Sequence, residues 1–388
     1  MKETFKLVSR VPDGGPVPEF LSPDHARQVQ NFHKTIPGYA PTPLISLADT
    51  AGELGVGRIW VKDESKRFGL NAFKVLGGSY AMGKLLQGRL GLEKLDFSLL
   101  TAQETREKLG HITFVTATDG NHGRGVAWSA AQFGQKSVVY MPFGSARERL
   151  ENIRALGSDA DIIDGNYDDA VRLAAKQAAE KGWLLVQDTA WDGYEEIPRW
   201  IMEGYCTMGL EALEQLDGEP THIFLQAGVG SMAGAMAGLF AGALKQMPTI
   251  VIVEPNKADC IFRTAEADDG KIHTVTGSMD TIMAGLACGE PCSIGWDVLK
   301  NTASHFISCP DGAAELGMRL LAREGIVSGE SGAAAFGCAA AILGDPELGQ
   351  MKEALGLNRN SRLLFISTEG DTDRENYRAV VGRDGSSL

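Results

Sequence analysis

Short runs of β-branched and aliphatic residues alternate with Ala-rich stretches of helical spacing through the middle and end of the chain. The runs ITFVTA (112–117), KSVVYM (136–141), ADIID (160–164) and WLLVQD (183–188) have strand character, and residues 124–133, 146–156 and 167–181 between them have helical character. A second set, HIFLQA (222–227), TIVIVE (249–254), HFISC (305–309) and RLLFIST (362–368), again alternates with helical stretches. This order predicts an α/β protein built on mainly parallel sheets. It places a small three-layer domain at 80–190, inserted into a larger one formed by 1–79 and 191–388.

One segment imitates a membrane span. AGVGSMAGAMAGLFAGAL (227–244) is nearly free of polar side chains and long enough to cross a bilayer. Its Gly and Ala content, directly after an apolar strand run, predicts a buried helix instead. Glycines 230, 234, 238 and 242 put a side-chain-free stripe on one face, where another backbone can approach closely. The segment 268–289 is the longest without periodicity, and long irregular segments in compact domains often serve active sites.

Composition narrows the function classes. At 388 residues, two domains are expected. A net charge of −13 argues against a nucleic-acid footprint. The six cysteines (206, 260, 288, 292, 309, 338) show no CxxC spacing and no Cys/His cluster, so no metal site is expected, and they read as free thiols of a cytoplasmic protein. Cys260 and Cys288 are the two that could meet near a cleft and pair. The charged start MKETFKLVSR is unlike an export signal.

Four predicted strands end in glycine-bearing or polar turns: TATDGNHGRG (116–125), VQDTAWDGYEE (186–196), LQAGVGSMAG (225–234) and ISTEGDTD (366–373). Ligand crevices of open α/β sheets lie at the carboxyl ends of strands, so these turns could line one cleft between the domains. The 228–232 turn offers backbone N–H groups and a helix N-terminus, which suit a phosphate monoester, whereas no GxGxxG is present for a dinucleotide. Asn121 is a neutral amide suited to a phenolate oxygen. Asp119 and Asp188 are strand-end carboxylates that could cap the following turns or act as bases, and His122 could be a base or structural. Lys74, between Phe73 and Val75, either keeps its head in water or loses its proton to become a carbonyl nucleophile.

PTPL (41–44), NAFK (71–74), DGNHG (119–123), GVGSM (228–232) and ISTEGD (366–371) occur in the order found in the tryptophan-synthase-β, or fold-type-II, family of pyridoxal-phosphate (PLP) enzymes, which the chain resembles over nearly its whole length. The resemblance implies two three-layer αβα domains with the active site in the cleft between them. It further implies Lys74 as the Schiff-base lysine, Asn121 as partner of the cofactor's phenolic oxygen, and Gly228, Val229, Gly230, Ser231 and Met232 as the phosphate cradle. Ser367 would face the pyridine nitrogen, with Thr368 as the adjacent alternative.

Serine and threonine dehydratases of this family carry a serine where this chain has Asp119. A carboxylate there welcomes a cationic substrate group. With DTIMAGLACGEP (280–291), SGESGA (328–333) and STEGDTD (367–373), the chain resembles the diaminopropionate ammonia-lyase subfamily. That likeness implies elimination from D- and L-2,3-diaminopropionate to pyruvate and two ammonia. Asp119 would be the base for the D-isomer and Asp188 for the L-isomer, with Lys74 sharing the latter role. It also implies a cytoplasmic homodimer acting on a free amino acid, without membrane or nucleic acid. The competing readings are a serine or threonine dehydratase with an unusual loop and a catalytically silent PLP-binding regulatory protein.

Overall fold

A computed structural model describes residues 4–382 and Gly385. The strands are β1 (Lys6–Ser9), β2 (Leu44–Ser46), β3 (Arg58–Asp63), β4 (Thr113–Ala117), β5 (Lys136–Met141), β6 (Asp159–Ile162), β7 (Leu184–Leu185), β8 (His222–Gln226), β9 (Thr249–Pro255), β10 (His305–Cys309) and β11 (Arg362–Ser367). They form a seven-stranded sheet in the order β1-β10-β9-β8-β11-β3-β2 and a four-stranded sheet in the order β6-β5-β4-β7. The smaller sheet is parallel throughout. In the larger, β10, β9, β8, β11 and β3 are parallel and the edge strands β1 and β2 run antiparallel. Helices cover both faces of the parallel core, so HIFLQ of β8 is buried at every position and its sequence shows no alternation.

The expected strand at 183–188 pairs only at Leu184–Leu185. The Val186 N–H still donates to Val115 O, but beyond it the Gln187 side chain takes over. Its Oε1 accepts from Ala117 N (2.9 Å) and its Nε2 donates to Ala117 O (3.1 Å). This amide stands in for the next rung of the ladder and frees Asp188 to turn into the cleft.

Glycines set the close approaches. On the Ser231–Ala243 helix, a Cβ at Gly234 would lie 3.0 Å from Gly295 Cα and one at Gly238 2.5 Å from Leu21 Cδ1, so the stripe admits the chain at Gly295 and the side chain of Leu21. Among the described residues no helix is long and apolar enough to cross a membrane. The Val75–Leu90 helix, which contains the expected 79/80 boundary, packs on both sides. A Cβ at Gly204 of the Glu196–Gln215 helix would sit 2.5 Å from Leu76 O, and one at Gly125 would sit 2.9 Å from Val75 N. The residue just ahead of this helix, Lys74, is thereby wedged between the two sheets.

Beneath the site lies a buried ionic cluster. Lys62 on β3 donates to Thr42 O, Glu211 Oε2 and Gln215 Oε1 (2.7–2.8 Å). Arg67 pairs with Glu64 (2.8 Å) and Glu211 (2.7 Å), and the side chains of all four charged residues are at most 1% exposed. Thr42 of PTPL donates its hydroxyl to Glu64 (2.6 Å), which gives that motif a packing role.

Candidate active site

The four strand-end turns converge on one cavity at the carboxyl ends of β4, β8 and β11 and beside the loop after β7. The NAFK loop is laced to the end of β11: Phe73 N donates to Thr368 O (3.2 Å), Gly370 N to Asn71 O (3.0 Å), and Ala72 bridges Glu369. Lys74 therefore enters the cavity beside Thr368 although the two are 294 positions apart in the chain.

Lys74 Nζ forms an ion pair with Asp188 Oδ2 and lies 5.4 Å from the Phe73 ring centre and 5.8 Å from that of Tyr205. Burial pushes the amine down, but Asp188, Tyr205 and Asp119 together hold it above its ordinary value. Of the two sequence-based readings, a head kept in water or an amine lowered by its apolar flanks, the structure shows Phe73 and Val75 buried, with the facing carboxylates outweighing their effect.

Asp188 also accepts from Tyr167 OH (3.2 Å) and Gln187 Nε2 (3.3 Å). Burial pushes its carboxyl up, yet the Lys74 ammonium and the Tyr167 hydroxyl hold it well below the usual carboxylate range. His122 is buried, and its Nε2 lies 2.8 Å from Val186 O. A carbonyl oxygen only accepts, so the proton sits on Nε2 and the bare Nδ1 faces Asp188 Oδ2 at 3.8 Å. Burial lowers the imidazole and keeps it neutral.

Asp119 is set differently. It does not cap the following helix, whose N-cap is Gly120 at φ +151°, and its Oδ2 has no hydrogen-bond partner. Burial pushes its carboxyl up, and Arg149 and Lys74 only partly oppose this. Asp119 and Tyr167 line both this cavity and an outer one between residues 142–145 and 278–287, so Asp119 stands at the passage to solvent. The irregular 268–289 segment thus contributes Gly285, Leu286 and Cys288 to the wall.

Asn121 opens its helix and donates Nδ2 to Glu369 Oε2. Glu369 Oε1 accepts from Ser331 N (3.2 Å). Of the two adjacent hydroxyls, Thr368 lines the cavity and its Oγ1 accepts from Gln226 Nε2 (3.0 Å), leaving its proton free to donate. Ser367 is buried outside that lining, 2.7 Å from Ser328 Oγ.

The turn Gly228, Val229, Gly230 leads into Ser231 and Met232 at the start of a 13-residue helix, whose first N–H groups have no intrahelical partner. Gly230 has φ +93°, and a Cβ at Gly228 would lie 3.1 Å from Gly285 O and 3.2 Å from Cys288 Sγ. The Ser231 hydroxyl donates to Asp188 O (2.6 Å), tying this turn to the loop after β7. Cys260 Sγ lies 3.7 Å from Gly228 O; Cys260 and Cys288 back the turn, and all six cysteines are buried free thiols. A glycine turn that backs onto protein behind and opens N–H groups in front, with unmatched buried atoms at Asp119 Oδ2 and His122 Nδ1, fits PLP. Among the described residues no group of three or more His, Cys, Asp or Glu could hold a metal ion.

Sequence reasoning brought Lys74, Asp119, Asn121, Asp188, Thr368 and all of 228–232 to this cavity. It assigned nothing to Tyr167, Gln226 or Glu369, which also line it, although Glu369 lies inside a motif it singled out.

Residues 35–368 match the family described as pyridoxal-phosphate dependent enzyme. The chain is 50% identical over 374 residues to the diaminopropionate ammonia-lyase of Salmonella typhimurium, covering 93% of each. It is 50% identical over 377 residues to that of Escherichia coli, covering 95% of this chain and 94% of the relative. Its fold is similar to the crystal structure of Escherichia coli diaminopropionate ammonia lyase in complex with D-serine, with a TM-score of 0.91, 47% identity, and 98% and 97% of the two chains covered. Shared over almost its entire length with these enzymes, the chain belongs to the diaminopropionate ammonia-lyase family of pyridoxal-phosphate dependent enzymes.

Proposed function

We propose that this chain eliminates ammonia from both enantiomers of 2,3-diaminopropionate, the enamine product then taking up water to give pyruvate and a second ammonia. The observation that carries this reading is Asp119: a carboxylate with an oxygen that accepts no hydrogen bond at the passage into the cavity, beside a second carboxylate already paired with Lys74. Near-full-length likeness to diaminopropionate ammonia-lyases favours it over a dehydratase or a silent binder.

Lys74, Asn121, the 228–232 turn and one hydroxyl at the end of β11 would hold PLP, which when bound would supply the electron sink that makes the Cα proton acidic. Of Ser367 and Thr368, the cavity position of Thr368 supports it as that hydroxyl. A neutral donor there avoids over-stabilising negative charge at Cα and so favours prompt loss of the β-amine.

The two hands of the substrate present the Cα proton in different directions, so one base does not serve both. Asp119 takes it from the D-isomer; Asp188 takes it from the L-isomer, with Lys74 sharing that role. The electron pair left at Cα forms the double bond, and the β-ammonium departs as neutral ammonia, so no further acid is required. A carboxylate at the passage keeps the β-amine in its ammonium form. Tyr167 and Gln187, which donate to its other oxygen, orient Asp188.

Pyruvate release from D- and L-diaminopropionate and from D- and L-serine tests the reading; faster turnover of serine would overturn it. The family likeness also supports a cytoplasmic homodimer acting on a free amino acid, with neither membrane nor nucleic acid, and light scattering checks the dimer.

A further inference from the structure

Arg149 is an arginine buried at the seam between the two sheets. It lies on the Arg147–Arg154 helix, packed against the smaller sheet's side, and its side chain is 5% exposed. Buried arginines are nearly always paired. This one faces Asp119, with Nη1 3.7 Å from Oδ2, and Glu330, with Nη2 3.6 Å from Oε2. Nη2 also donates to Thr372 Oγ1 (3.1 Å), which donates in turn to Glu369 Oε2 (3.0 Å), the acceptor for Asn121. The turn before the Asn121 helix is shaped around it: a Cβ at Gly120 would lie 2.8 Å from Arg149 Cδ.

We propose that Arg149 is a positioning residue for elimination from the D-isomer: its guanidinium, shared between Asp119 and Glu330, holds Asp119 ionised and aimed into the cavity. This rests on Asp119 being the base for that isomer. Two observations support it. Asp119 has no hydrogen bond to Oδ2, so charge rather than a donor fixes its state. Arg149 is the largest influence opposing the rise that burial imposes on Asp119, ahead of Lys74, while Glu369 and Asp188 push the same way as burial. An opposite charge this close moves a carboxyl by roughly 1–3 pH units.

Glu330 makes the arrangement adjustable. At the start of the Glu330–Gly344 helix, it is pushed up to about 7 by burial and by Glu369, against Arg149 and the Asn376 amide. Its ionised form draws on the same guanidinium that serves Asp119. The groups facing Arg149 are Glu369, Asp119, Glu330 and Asp373. Those facing Asp119 are Arg149, Lys74, Glu369 and Asp188, with His122, Tyr167 and Cys288 alongside.

The test measures kcat/KM against pH for both isomers in the PLP-loaded full chain and its Arg149→Met, Arg149→Lys and Glu330→Gln variants. The carboxyl carbon of Asp119 is titrated in each by 13C resonance. In Arg149→Met the acid limb for the D-isomer should move to higher pH by about one unit or more, about tenfold in rate on that limb, with the L-isomer unchanged. Arg149→Lys should restore part of this shift. Glu330, ionised only above about 7, leaves the guanidinium to Asp119 on that limb, so Glu330→Gln should not move it, and a limb moved to higher pH by Glu330→Gln would overturn the proposal even if Arg149→Met misfolds. Equal loss on both isomers, or an Asp119 titration unmoved in every variant, would overturn it. Asp119→Asn run alongside separates the two ideas. D-turnover retained there overturns the assignment of the base; a D-specific loss there with an unmoved acid limb in Arg149→Met overturns the role of Arg149.

Discussion

Lys74 and Asp188 meet as an ion pair in the cavity, an ammonium beside two packed aromatic rings and a carboxylate that Tyr167 and Gln187 also hydrogen-bond. Lys62, the other buried lysine close by in sequence, is already bound to Thr42, Glu211 and Gln215. Lys74→Ala should therefore abolish turnover and the borohydride-reducible lysine–PLP linkage while PLP still binds through its phosphate. Reducible PLP recovered on any other lysine would refute the assignment.

The two carboxylates should divide the isomers. Asp119→Asn keeps the shape but cannot accept a proton, and losing a positioned base costs about 10²- to 10⁴-fold. The loss should fall on D-diaminopropionate, and Asp188→Asn should lose mainly the L-isomer. Both effects belong in kcat, because the base acts in the transition state. A uniform rise in KM would mean that the carboxylates only bind the cationic amine.

Acidification should separate them too. The Asp119 carboxyl is raised and the Asp188 carboxyl depressed. A base works only in its ionised form, present above its pKa and lost as the pH falls through it. The acid limb for the D-isomer should therefore lie at higher pH than that for the L-isomer. Coincident limbs in kcat/KM profiles would show a shared group instead.

Gly228→Ala tests the cradle. The added methyl would meet Gly285 O at 3.1 Å and Cys288 Sγ at 3.2 Å. Overpacking of this kind costs about 1–3 kcal/mol. The cavity-lining 285–288 segment must shift, so PLP affinity should fall by about tenfold or more, read by absorbance titration.

Glu211→Gln should destabilise without touching the chemistry. It removes the carboxylate that pairs both Lys62 and Arg67, all of them almost fully buried. Breaking a buried ion pair from one side costs about 3–5 kcal/mol. Urea unfolding should show that loss, while kcat of the folded fraction stays unchanged.

What could be read from the chain follows its physics. Buried parallel strands such as HIFLQ and RLLFIS are continuous apolar runs, so the strands that carry the site were legible. The short edge strands KLVS and LIS are half-exposed and carry no such signal. WLLVQD reads as strand to its end because the substitution of the Gln187 side chain for a ladder rung is a tertiary event. Ser367 and Thr368 are neighbours at a strand end whose side chains point to opposite faces, so motif order alone could not choose between them. Arg149 was illegible: SARERLENIR carries charges like any solvated helix, and only packing against Gly120 singles out one arginine for burial.

The position of β11 also bears on how the molecule is made. Residues 362–367 form its strand between β8 and β3, inside the larger sheet, although among the described residues every other strand precedes them in the chain. A ribosome delivers that strand after its neighbours, so during synthesis β3 and β8 each present an unpaired edge, the feature that invites association with other chains. The wall containing Thr368 and Glu369 arrives at the same moment, which means the nascent polypeptide has no finished pocket for its cofactor until the sheet is closed. A premature stop ahead of residue 362 thus removes the centre of the fold rather than its tail.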